Sequence, residues 1–186
     1  TEVISKILDY EDRTTCILFG DGAGAAVISK SKTPGILSIK ISADGSAGEL
    51  LHMPGGGSRM PASEQSLKDR AHFLKMKGND VFKVAVKMME SSTIEALEKA
   101  GISHEDIDLF IPHQANSRIL EVLRKRLGIS SDKIFSNLEK YGNTSSASVP
   151  LALDEAIRSG KAKEGDTILF SVFGAGFTWG SAVVKL

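Results

Sequence analysis

With 41% hydrophobic and 25% charged residues, the 186-residue sequence describes soluble globular material able to bury a real core. Lys+Arg and Asp+Glu balance at 23 each, so net charge exerts no global pull toward nucleic acid or membrane. No apolar run approaches the ~20 residues of a membrane span, residues 1–6 lack the features of a signal peptide, and one cysteine, Cys16, excludes an internal disulfide framework and fits a reducing cytoplasm.

In chain order, residues 3–8 carry a trace of helix. Residues 14–30, TTCILFGDGAGAAVISK, predict an apolar strand, a turn rich in Gly and Ala, and a second strand. Cys16 falls in the first of these, where a thiol is a small buried hydrophobe rather than an activated nucleophile. Residues 43–77 include Pro54-Gly55-Gly56-Gly57-Ser58-Arg59-Met60-Pro61 and read as a loop too long to be a mere connector. The triple glycine lacks the flanking strand and helix of a phosphate loop. Apolar residues at Val81, Phe82, Ala85, Val86, Met89, Ile94 and Leu97 predict a helix over 81–100 that stops at Gly101. Leu109-Phe110-Ile111 predicts a strand, and 117–127 a helix capped by Asn116 and ended by Gly128. Residues 133–135 begin another strand, and 149–159 predict a helix with Pro150 in its first turn and Gly160 at its end. Residues 167–185, TILFSVFGAGFTWGSAVVK, repeat the strand–turn–strand pattern of 14–30.

Strands alternating with helices predict an α/β fold with a mostly parallel, helix-covered sheet. The echo between 14–30 and 167–185 predicts a duplicated unit whose first copy supplies only its closing hairpin. Strict duplication places at least ~60 residues before Thr1, so the chain reads as the C-terminal part of a larger protein. The expected division is 1–42 as the end of an N-terminal half, 43–77 as a loop-rich connector, and 78–186 as a C-terminal half.

Two short motifs carry chemistry. Ile111-Pro112-His113-Gln114-Ala115-Asn116 ends a strand just before a helix, and Tyr141-Gly142-Asn143-Thr144-Ser145-Ser146-Ala147-Ser148 is a Gly-Asn turn leading into another. His113 and Asn143 can converge on one substrate oxygen as an oxyanion site if they sit at the ends of neighbouring strands. Lys83, Arg118, Lys125 and Arg126 form a local basic set; Arg118 and Lys125 lie two turns apart along one helix face. His52, His72 and His104 have no metal-ligand spacing with one another or with Cys16, and no metal is expected.

The strings FGDGAGAAV, ADGSAGELL, MKGNDVFKVAV, PHQANSRI, YGNTSSAS and FGAGFTWGSA together resemble the β-ketoacyl-acyl carrier protein synthase III family, over nearly the whole chain. The resemblance implies a thiolase-like fold, five-layered αβαβα in the full protein. This chain would hold the C-terminal βαβαβαββ half and the end of the N-terminal half. It also implies an acyltransferase that initiates type II fatty acid synthesis. An acyl group moves from coenzyme A to a cysteine, and malonyl-acyl carrier protein then loses carbon dioxide and attacks the thioester. The nucleophilic cysteine would precede Thr1, and Cys16 is no substitute for it.

By the same resemblance, His113 and Asn143 hold the enolate oxygen, and the backbone amide of Ala175 in Gly174-Ala175-Gly176 serves the second oxyanion. Arg13 matches an arginine that stacks near adenine, Asn79 and Asn116 match residues that hydrogen-bond the phosphopantetheine arm, and Gly78 and Phe82 line its tunnel. Asn116 reads equally well as an ordinary helix cap. Lys83, Arg118, Lys125 and Arg126 would meet the acidic carrier protein. Acyl-CoA, malonyl-acyl carrier protein and a second copy of the chain are the implied partners, without nucleic acid, membrane or cofactor beyond the coenzyme A thioester substrate. Two other readings stay open: a related thiolase-fold acyltransferase of secondary metabolism, and a catalytically incomplete fragment.

Overall fold

Leu109, Phe110, Ile111 and Pro112 form a strand with every residue buried, as a strand covered on both faces requires. It is one of six strands in the computed structural model, which describes residues 1–33 and 35–186. In chain order these elements are β1 (Ile36–Ala43), β2 (Leu51–His52), α1 (Glu64–Lys68), β3 (Lys75–Met76), α2 (Gly78–Ala100), β4 (Leu109–Pro112), α3 (Ser117–Arg126), α4 (Leu138–Tyr141), α5 (Ser148–Arg158), β5 (Thr167–Gly174) and β6 (Thr178–Lys185). The main sheet has the order β1-β6-β5-β4, with β4 and β5 parallel and the other pairs antiparallel; β2 and β3 form a separate pair.

Side chains alternate across β4 and β5, and this separates two cores. Phe110, Leu169 and Phe173 pack with Ala85, Met89, Leu97, Ile119 and Leu123 of α2 and α3. Leu109, Ile111 and Ile168 turn to the other face, against Ala152 and Ala156 of α5. The three long helices end where glycine was expected to end them: Gly101, Gly128 and Gly160 have φ of 69°, 69° and 73°. The Asn116 side chain caps α3 by accepting from the Arg118 N–H at 2.9 Å. Residues 133–135 shrink from the expected strand to one parallel bridge between Phe110 and Ile134.

Residues 14–30 do not form the expected closing hairpin. The Asp12 side chain accepts from the Thr14 N–H and from the hydroxyls of Thr14 and Thr15, while the N–H groups of Thr15 and Cys16 donate to the Asp12 carbonyl. Those local bonds wind the chain into consecutive turns and compete with a strand. Cys16 therefore lies half-buried in a turn, not in a buried strand. Val27 and Ile28 are 99% and 82% exposed and pair with no strand among the described residues.

The edge strand β1, where no strand was predicted, is folded with its polar residues inward. Ser38 is buried and donates to the Ala96 carbonyl at 2.6 Å, and Lys40 pairs with Glu95, whereas Ile39 and Ile41 face outward. Among the described residues no helix is long and apolar enough to cross a membrane.

Candidate active site

His113 is delivered by β4. The first residue beyond that strand, it continues the parallel pairing by donating its N–H to the Ser171 carbonyl of β5 at 2.8 Å. Gln114 then turns inward, nearly fully buried. Its amide nitrogen donates to the Pro112 carbonyl at 2.7 Å, and its oxygen accepts the Asn137 N–H at 3.1 Å. A buried side-chain amide with these bonds fixes the chain on both sides of the histidine.

Asn143 is not at the end of a sheet strand, contrary to expectation. It lies in the loop between α4 and α5, in a parallel bridge with Phe19. The Asn143 N–H donates to the Leu18 carbonyl, and its carbonyl accepts from Gly20, both at 2.9 Å. Segment 18–20 thus positions Asn143, although no hairpin forms there. Glycine is required on both sides of the bridge. A Cβ at Gly20 would collide with the Tyr141 carbonyl, and Gly142 adopts φ 66° with Leu18 O only 3.1 Å from where its Cβ would be.

The polar atoms that do not face the site are already engaged. Asn143 Oδ1 accepts the Ser145 N–H at 2.9 Å, which leaves the amide N–H groups to donate elsewhere. His113 Nδ1 lies 2.6 Å from Ser148 Oγ, at the first residue of α5. Burial pushes the His113 pKa down from 6.5 to about 4, although part of the ring still faces a cavity. The ring is therefore neutral at pH 7.

The sign of this shift gives a test. Between about pH 6.5 and 4 the unfolded chain binds a proton that the native ring resists, so this group lowers folding stability as pH falls through that window. An NMR titration of the His113 ring is expected to show a midpoint near 4; one at 6 or above would mean a hydrated ring.

Two cavities of about 410 and 950 Å³ share His113, Asn143, Phe19, Leu51 and Phe173 in their walls. The smaller brings together most of the expected binding residues: Gly78, Asn79 and Phe82 from α2, Asn116 at its cap position, and Arg118 from α3. The Arg118 guanidinium sits over the Phe82 ring at 5.3 Å. Ala175, in the turn between β5 and β6, lines the larger cavity with Ser145, Ser148 and Trp179.

Other expected residues lie apart. Arg13 is exposed and lines neither cavity, although its neighbour Thr14 lines the smaller one. Lys83, Lys125 and Arg126 are also outside both, paired with Asp80 at 3.8 Å, Glu121 at 3.0 Å and Glu90 at 2.8 Å. Arg118 has no ion pair among the described residues. Cys16 lines neither cavity. Ser148 and Phe173 had no assigned role in the sequence. The contact of Ser148 with His113 spans 35 residues and has no local signal. Among the described residues no group of three or more His, Cys, Asp or Glu could hold a metal ion.

Residues 97–186 match the family model described as the C-terminal part of 3-oxoacyl-[acyl-carrier-protein] synthase III, and residues 1–45 match the model for 3-oxoacyl-[acyl-carrier-protein] synthase III. The β-ketoacyl-[acyl-carrier-protein] synthase III of Caldanaerobacter subterraneus subsp. tengcongensis is 56% identical over 185 residues, 99% of this chain and 56% of that protein. The chain thus spans little more than half the length of this relative. The crystal structure of 3-oxoacyl-[acyl-carrier-protein] synthase III from Aquifex aeolicus superposes with a TM-score of 0.88 at 46% identity, covering 98% of this chain and 55% of that one. A priming β-ketosynthase from the R1128 polyketide biosynthetic pathway gives 0.87 at 40% identity, covering 98% and 54%. The fold is thiolase-like.

Proposed function

Because the chain belongs to the 3-oxoacyl-[acyl-carrier-protein] synthase III family, we propose that it carries the enolate-holding half of a decarboxylating condensing enzyme. The observation that supports this most is the pairing of His113 with Asn143. Both are neutral donors, each has its other polar atom engaged, and both line the walls shared by the two cavities.

On this reading a cysteine outside residues 1–186 takes an acyl group from coenzyme A: a carbon–sulfur bond forms to the enzyme and the one to coenzyme A breaks. Malonyl-acyl carrier protein then enters. Its carbon–carboxylate bond breaks, carbon dioxide leaves, and the electron pair delocalises onto the thioester oxygen. His113 and Asn143 donate to that oxygen. The nucleophilic carbon attacks the acyl-cysteine, whose sulfur departs as thiolate, and the product is a 3-oxoacyl carrier protein. A neutral imidazole suits this role, since it donates a hydrogen bond without a full proton that would quench the carbanion. The Ala175 amide would serve the oxyanion formed during attack. The reading needs no cofactor and includes a cytoplasmic location; it also includes a homodimer, which a mass measurement in solution checks.

The smaller cavity, walled by Asn79, Phe82, Asn116 and Arg118, would take the amide-rich pantetheine arm. Arg118 at its edge would meet the acidic carrier protein. Lys83, Lys125 and Arg126, already offset by acids, add less to the field. In the full-length protein, Arg118→Glu is expected to raise KM for malonyl-acyl carrier protein at least tenfold with turnover of a small malonyl thioester unchanged. Equal loss with both substrates would remove Arg118 from docking.

The test of the function is carbon dioxide release from malonyl-acyl carrier protein by the full-length protein. Acyl transfer without decarboxylation would favour a simple acyltransferase. The R1128 neighbour supports a second reading, a priming ketosynthase of polyketide synthesis; competition between acyl-CoA primers separates the two.

A further inference from the structure

Ser148 opens α5 nearly fully buried, with its hydroxyl between two groups of the β4 exit. Its oxygen accepts the Gln114 N–H at 3.3 Å and lies 2.6 Å from His113 Nδ1. A serine hydroxyl has one proton to give. Among the described residues, His113 Nδ1 is the one acceptor within hydrogen-bond reach of it. Were Nδ1 protonated, two N–H groups would converge on one oxygen and the serine proton would be buried without an acceptor. A buried donor left without an acceptor is destabilising. The opposite tautomer satisfies every group: Gln114 N–H to Ser148 Oγ, Ser148 O–H to Nδ1, and the Nε2 proton left for the cavity.

We propose that Ser148 is a positioning residue that holds His113 as the Nε2–H tautomer and aims that N–H at the substrate oxygen. The catalytic part of this statement rests on the enolate reading above; the tautomer part does not. Asn143 is set by a parallel device five residues earlier, where Oδ1 takes the Ser145 N–H. One segment, 143–148, therefore orients both donors, and a shift of the α5 start would misalign them together.

The deciding measurement is the 15N NMR spectrum of the imidazole in the full-length protein at pH 7. Wild type is expected to show Nε2 protonated and Nδ1 bare, Ser148→Ala a mixture of tautomers, and Ser148→Thr, which keeps the hydroxyl, the wild-type pattern. A protonated Nδ1 in wild type overturns the proposal even if no variant folds. So does a pure Nε2–H ring in Ser148→Ala. For decarboxylation, Ser148→Ala is expected to lower kcat about tenfold with KM for the malonyl thioester nearly unchanged, and threonine to restore most of it. A merely structural role would lower the amount of folded enzyme, not kcat per folded molecule. If His113→Ala also leaves decarboxylation intact, the enolate reading fails while the tautomer assignment stands or falls on the NMR alone.

Discussion

His113→Ala in the full-length protein is expected to slow malonyl-thioester decarboxylation by about 10²–10³-fold, the usual cost of one oxyanion donor in a water-poor site. Asn143→Ala should cost a similar amount. Transfer of the acyl group from coenzyme A to the nucleophile needs no enolate and should change far less in either variant. Carbon dioxide release and acyl-enzyme formation, measured separately, expose the difference. The double variant should lose less than the product of the two single losses, because the remaining donor loses most of its use once its partner is gone. Parallel loss of both half-reactions would move His113 from enolate stabilisation to general support of the fold. The prediction rests on the ring being neutral, which burial secures with a pKa of about 4.

The second large effect is expected at Gly20, outside both cavities. A methyl group there collides with the Tyr141 carbonyl, and neither backbone can move freely, because Leu18 and Gly20 clasp Asn143 through two 2.9 Å bonds. Gly20→Ala should destabilise the protein by about 1–3 kcal/mol and lower Tm by roughly 2–4 °C for each of those. Because the clasp sets Asn143, decarboxylation per folded molecule should fall as well, toward the level of Asn143→Ala. Thermal melts and decarboxylation assays on the same preparation check both parts. Full decarboxylation with a normal Tm would show that segment 18–20 does not position the asparagine.

The helices were legible because their signals are local. Apolar spacing placed α2, and glycine placed its end and the ends of α3 and α5 within a residue or two. The sheet was less legible, since a strand needs a neighbour that spacing cannot supply. At 14–30 the apolar run was plain, but the Asp12 side chain captured the Thr14 and Thr15 groups and turned the chain instead. Strand β1 misleads in the opposite sense: Ser38 and Lys40 face α2 while Ile39 and Ile41 face out, so alternation points to the wrong inner face.

The site divides in the same way. His113 and Asn143 stand in motifs readable over six to eight residues, and the smaller cavity gathers Gly78, Asn79, Phe82, Asn116 and Arg118 around them. Their orientation was not readable. It depends on Ser148 and the backbone of residues 18–20, contacts that exist only once the chain has folded.

The most direct measurement is a crystal structure of the full-length protein with a malonyl thioester analogue that cannot decarboxylate. The expected result is a thioester oxygen about 2.7–3.2 Å from both His113 Nε2 and Asn143 Nδ2, with the arm in the smaller cavity. A thioester oxygen held by backbone amides alone, with either side chain out of hydrogen-bond reach, would contradict the enolate site.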